Sequence, residues 1–171
     1  MTGFNEFNEF LMSVPKPVWI AALAAFAVAS LGALMTDLGP WYRSLVQPSF
    51  QPPDWAFGPA WTTIFALAAV AGVKAWRLAP DQASRDWLLV LFALNGFLNV
   101  FWSLLYFRLH RPDWALVEVL FLWLSVLLLI VVLGRYSRPS AWLLAPYLVW
   151  VAFAGALNFA SVRLNGPFGV H

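Results

Sequence analysis

Five stretches of this chain are long and apolar enough to cross a bilayer, and no soluble fold of this size has room to bury them all. A hydrocarbon core about 30 Å thick takes roughly 20 helical residues to span. Val18 to Thr36 and Trp87 to Phe107 carry no charge, and Ala56 to Ala75 carries only Lys74 near its end. Trp114 to Gly134 has Glu118 as its one ionisable group, and Ala141 to Val162 closes at Arg163. The composition agrees: 62% of the 171 residues are hydrophobic and 11% charged, against about 25% charged in soluble domains. The expected fold is therefore an all-α membrane protein. It is a bundle of five transmembrane helices at about 18–36, 56–75, 87–107, 114–134 and 141–162, between a leader at 1–17 and a tail at 166–171.

The leader holds Glu6, Glu9 and Lys16 rather than the short positive region of a cleavable signal, so the first span is read as retained. The Ala-rich stretch from Ala27 to Ala33 is the feature that would favour cleavage instead. Four connections are short. The segment Asp37 to Trp55 differs, with four aromatic residues and Pro40, Pro48, Pro52 and Pro53. Proline removes a backbone donor and fixes φ, so the segment cannot be regular helix throughout, while the aromatic content does not suit a solvated linker. The segment is expected to fold back as a structured first loop that lids one end of the bundle. Loop cations favour the side of the N-terminus: Lys16, Lys74, Arg77, Arg85, Arg135 and Arg138 stand there, against Arg43, Arg108, Arg111 and Arg163 opposite. That bias predicts a multi-pass protein with a cytoplasmic N-terminus.

Several function classes drop out. Cysteine is absent, and His110 and His171 lie far apart, so no disulfide framework or Cys/His metal cluster is expected. A net charge of +2 does not suggest nucleic-acid binding. Ser103 and Ser125 have no histidine in their own spans, which argues against a hydrolase.

Residues three, four and seven apart share a helix face. In the third span that rule gathers Asn95, Asn99, Trp102, Ser103 and Tyr106; in the fourth, Trp114, Glu118, Phe121 and Ser125. In the fifth it gathers Trp150, Ala154, Leu157, Asn158 and Ser161. Polar groups facing lipid are costly, so these faces are expected to point inward. There they act either as interhelical hydrogen-bond partners or as the lining of a ligand pocket. Of the eleven tryptophans, Trp19, Trp76, Trp87, Trp114 and Trp142 lie near span ends, where aromatic belts form. Trp61, Trp102, Trp123 and Trp150 lie deeper and suit offset stacking on a flat conjugated ligand. Ala25, Ala29 and Ala33 form a small-residue stripe for close helix packing or a dimer seam.

The segment WYRSLVQPSFQPPDWAFGPAW, Trp41 to Trp61, resembles the first loop and second helix of the translocator protein (tryptophan-rich sensory protein) family. LNVFWSLLYF from Leu98, DWALVEVLF from Asp113 and PYLVWVAFAGALNF from Pro146 resemble its third, fourth and fifth helices. The resemblance covers roughly 18–165 and implies a homodimer-forming bundle with a pocket beneath the first loop. Its ligands would be tetrapyrroles such as protoporphyrin IX, with no cofactor required. Carried over by motif, Trp61, Asn99, Trp102 and Trp114 would line that pocket, together with Glu118, Trp150, Ala154 and Leu157. Arg43 is a candidate partner for a porphyrin carboxylate.

The chain departs from the family pattern at Phe50 (usually Trp), Gln47 (commonly Lys), Phe65 (commonly Tyr) and Asn95 (usually Gln). The helix-five sterol pattern requires a tyrosine where Phe159 stands, so weak sterol binding is expected. The resemblance favours a porphyrin-binding sensor or transporter. The alternatives are a light-dependent porphyrin-degrading enzyme using Trp61 and Trp150 as redox partners, or a membrane scaffold that binds ligand incidentally.

Overall fold

The computed structural model describes residues 15–169; residues 1–14 of the expected leader and the last two of the tail lie outside them. The regular structure of the described chain is all helical, without a strand. In chain order the elements are α1 (Lys16–Met35), α2 (Pro40–Ser44), α3 (Asp54–Leu78), α4 (Gln82–Ser103), α5 (Pro112–Tyr136), α6 (Arg138–Leu143) and α7 (Ala145–Asn165). A π-helical turn, Leu104–Arg108, continues α4. Five helical segments are long and apolar enough to cross a membrane, the last formed by α6 and α7 together.

Helix ends follow local chemistry. Asp81 caps α4 by accepting the Ser84 N–H at 2.7 Å, a favoured N-terminal arrangement, and that bond holds its carboxyl below the ordinary range. Ser137 caps α6 in the same way through Ser140 N–H. The fifth span breaks at Leu144 because Pro146 lacks an N–H and sits in the first turn of a new helix.

The helices form a ring. α1 packs on α3 and α4, α4 on α5, α5 on α7, and α6 and α7 close back onto α3. Fully buried residues come from α3 through α7, and α1 buries none. Near the N-terminal end the core is Ala71, Ala75, Leu88, Leu129, Leu133 and Leu144. Midway it is Ile64, Val119, Leu122, Val126, Tyr147 and Val151. α1 approaches α4 through glycine: a Cβ on Gly96 would stand 2.8 Å from Val28 Cγ2. Of the alanine stripe, Ala25 and Ala29 are half-buried and Ala33 is exposed.

The first loop is a structured lid. α2 lays Trp41 flat on His110, ring centroids 4.1 Å apart, with Tyr42 against Phe107 at 5.6 Å. Phe107 lies in the π turn, as does Tyr106, which meets Trp41 edge-on at 6.2 Å. Asn165, at the end of α7, accepts the Val46 N–H at 2.7 Å and donates to the Val46 carbonyl at 3.0 Å. Gln51 donates to the Tyr42 hydroxyl at 3.0 Å. Burial pushes that phenol above its usual range, and the Asp54 carboxylate adds to the effect. Arg108 ties the other margin down, donating to the Leu34 carbonyl at the end of α1.

Candidate ligand site

Beneath the lid, α3 and α7 bring together an aromatic cluster. Trp61 lies 5.3 Å from Phe65 in a stacked pair, and edge-on to Tyr147 at 6.0 Å and to Trp150 at 6.3 Å. Phe57 and Phe153 flank Trp150, each 5.8 Å away, and Phe50 of the first loop covers Phe153. The Trp150 Nε1–H is buried without a hydrogen-bond partner among the described residues. Buried polar groups are almost always paired, so an unmatched donor in an aromatic wall marks a place for an acceptor.

Below the tryptophans runs a polar chain across three helices. Asn99 donates to the Tyr147 hydroxyl at 3.2 Å, Tyr147 donates to Asn95 Oδ1 at 3.1 Å, and Asn95 donates to Ser125 Oγ at 2.8 Å. Ser125 completes the chain by donating to the Leu122 carbonyl. For Asn95, Asn99 and Ser125 the structure thus shows the interhelical-partner role. With its amide nitrogen turned toward the Pro112 carbonyl, Asn158 donates there at 2.9 Å and accepts from Leu116 N–H at 3.0 Å, joining α7 to α5.

The residues carried over by motif fall into two places. Trp61, Trp102 and Trp150 pack against one core cluster, with Asn99 beside them through Tyr147. Ala154 is half-buried and Leu157 is buried, further along α7 toward the lid. Trp114 and Glu118 instead line a separate groove between α4 and α5, with Phe97, Phe101, Val117 and Phe121. Trp114 and Phe121 are 54% and 58% exposed. The inward stripe of α5 is centred on Ala115, Val119, Leu122 and Val126, so of the face expected to point inward Glu118 and Ser125 are buried, whereas Trp114 and Phe121 turn outward. The Arg111 guanidinium, paired with Asp113, lies 4.1 Å over the Trp114 ring. Arg43 is exposed and donates to the Leu38 carbonyl.

Glu118 is 6% exposed, and neither carboxylate oxygen has a hydrogen-bond partner among the described residues. Burying such a group costs on the order of 1–3 kcal/mol by mutational measure. Glu118→Leu is therefore expected to stabilise the bundle by about 1 kcal/mol, read as a higher thermal unfolding midpoint in detergent. A lower midpoint would show that the carboxyl is stabilising as it stands.

Tyr147 is the functional-looking residue that helical spacing passed over. It lies three residues before Trp150 and seven before Ala154, so extending that face by one turn would have included it. A second cavity, of about 490 Å³, lies between α1, α3 and α4 toward the opposite end of the bundle. Phe65, Asn95 and Tyr147 border it, but none of the residues carried over by motif lines it.

Residues 19–163 match the TspO/MBR family. A tryptophan-rich protein TspO of Archaeoglobus fulgidus is 39% identical over 145 residues, covering 84% of this chain and 93% of its own. A tryptophan-rich sensory protein of Cereibacter sphaeroides is 32% identical over 155 residues, 90% and 95% of the two chains. The translocator protein of Bos taurus is 31% identical over 150 residues, 84% and 89%. With the match running through all five long helices, the chain is an integral membrane protein and belongs to the TspO/MBR family.

Proposed function

We propose that this protein is a tetrapyrrole-binding sensor or transporter that holds a flat hydrophobic ligand such as protoporphyrin IX against the tryptophan cluster beneath the first loop. The observation that carries this reading is the Trp61–Trp150 pair with its buried, unpartnered Trp150 Nε1–H. A ligand arriving from lipid gains little from leaving one apolar medium for another. Its affinity must come from offset stacking and from a few directed polar contacts, and the indole N–H supplies one to a carboxylate oxygen. Relatives named for sensing and for translocation support the same reading. It also has the N-terminus on the cytoplasmic side, a second copy as partner, and weak sterol binding because Phe159 lacks a hydroxyl.

Protoporphyrin titrated into nanodiscs holding the protein is expected to quench tryptophan fluorescence saturably. Trp150→Phe keeps a stacking ring and removes the N–H; losing about 1.4 kcal/mol corresponds to roughly tenfold weaker binding. Trp61→Leu removes a stacking wall and is expected to weaken binding at least as much. Linear quenching in the parent, or parental affinity in both variants, would place the ligand elsewhere. Bleaching of bound porphyrin under light, beyond that in empty nanodiscs and lost in Trp61→Phe, would favour the enzyme instead.

A further inference from the structure

The cavity between α1, α3 and α4 lies apart from the tryptophan cluster, and its lining is almost wholly apolar. It is floored by small residues, Ala25, Ala68, Ala69 and Gly72 among them, which hold the helices close yet leave a channel. It runs along α1 from Pro17 to Leu31, about 21 Å of helix, where one leaflet of hydrocarbon is about 15 Å deep. It opens sideways between α1 and α4: Ile20, Leu31, Leu89 and Phe97 line it and are also exposed on the lipid-facing surface. An open, apolar, chain-length channel at membrane depth excludes water and admits an acyl chain.

Three cations stand at the N-terminal end of this channel, each one turn beyond a lining row on its own helix. Lys16 continues the row of Ile20 and Ala24, Arg77 that of Ala69 and Val73, and Arg85 that of Leu89 and Ala93. None of the three forms an ion pair among the described residues. The Arg85 Nε–H is buried with no acceptor. Of the neighbouring carboxylates, Asp86 accepts from Gln82 at 2.8 Å, and Asp81 caps α4 while feeling the Arg85 charge one turn away without closing an ion pair. Long basic side chains at helix ends extend toward the headgroup layer, and a guanidinium matches a phosphate in two-point geometry.

We infer that this cavity is a binding site for an anionic phospholipid of the surrounding leaflet, one acyl chain lying between α1, α3 and α4 and the phosphate held by Lys16, Arg77 and Arg85. Charge complementarity at the mouth selects the anionic headgroup, and the channel's length selects the chain. Lipid there completes the packing of α1, among the described residues the one long helix with no buried residue of its own.

The test is native mass spectrometry of the protein released from bilayers of equal phosphatidylglycerol and phosphatidylcholine. The parent is expected to retain one phosphatidylglycerol per protomer, at least fivefold over phosphatidylcholine. The double variant Arg77→Gln, Arg85→Gln is expected to bring that ratio near one while lipid is still retained. Ala69→Leu, which fills the channel, is expected to lose the retained lipid; Ala93→Phe provides a second filling variant should the first fail to fold. No headgroup preference in the parent, or parental retention in the charge and filling variants, would overturn the proposal. So would displacement of the lipid by equimolar oleate, which would make the occupant a free fatty acid. Filling variants that change protomer pairing but not lipid retention would assign the cleft to a second copy and overturn it too.

Discussion

Gly96→Val is expected to push α1 off the bundle and cost about 3 kcal/mol, the upper end of the usual range for overpacking. The cause is local and specific. A Cβ at position 96 would stand 2.8 Å from Val28 Cγ2, closer than two carbon atoms can pack. Val28 cannot swing away freely, because a β-branched side chain in a helix has one strongly preferred rotamer. α4 cannot yield either, since Asn95 and Asn99 on the same turns are tied to α5 and α7. α1 is the element left to move. The chain has no cysteine, so a label pair placed on α1 and α4 reads their separation directly. That separation should lengthen as the unfolding midpoint falls, and Val28→Ala in the same chain should reverse both. An unchanged midpoint and separation in Gly96→Val would mean that the helices do not approach here.

Tyr147→Phe is the second change with a large expected effect. It removes one oxygen and with it two hydrogen bonds, leaving Asn99 Nδ2 without an acceptor and Asn95 Oδ1 without a donor. All three side chains are buried. An orphaned buried polar group costs about 1–3 kcal/mol, while interhelical hydrogen bonds in membranes average about 0.6 kcal/mol, because the alternatives in lipid also find partners. Two lost bonds at one site therefore point to about 2 kcal/mol of stability. The aromatic contact with Trp61 is retained by phenylalanine, so packing loss does not confuse the reading. Asn99→Leu in the Tyr147→Phe background should cost less than it does alone, because its partner is already gone. Strict additivity in that cycle would show that the two side chains do not interact. Porphyrin affinity measured beside stability separates a structural network from a ligand contact.

The five spans and the lidding loop were legible in the sequence because their causes are local. Twenty apolar residues have no alternative to helix in a bilayer, where every backbone group must be satisfied within its own segment. Four prolines among aromatics in Asp37 to Trp55 likewise rule out both a continuous helix and a solvated linker. Helical spacing also put Asn95, Asn99, Ser103, Glu118, Ser125 and Asn158 on inward faces, and all are buried.

Spacing says which residues share a face, but not which neighbouring helix that face meets or how the helix is rotated. Those are settled by packing among five helices at once. Only the tertiary structure separated Trp61 and Trp150 from Trp114 and Glu118, and made Tyr147 the hub joining two asparagines. It alone inserted the π turn that carries Tyr106 and Phe107, the rings in contact with the lid. The channel between α1, α3 and α4 was beyond sequence for the same reason: an alanine records that space is available, and the distance to the opposing helix decides whether that space is filled.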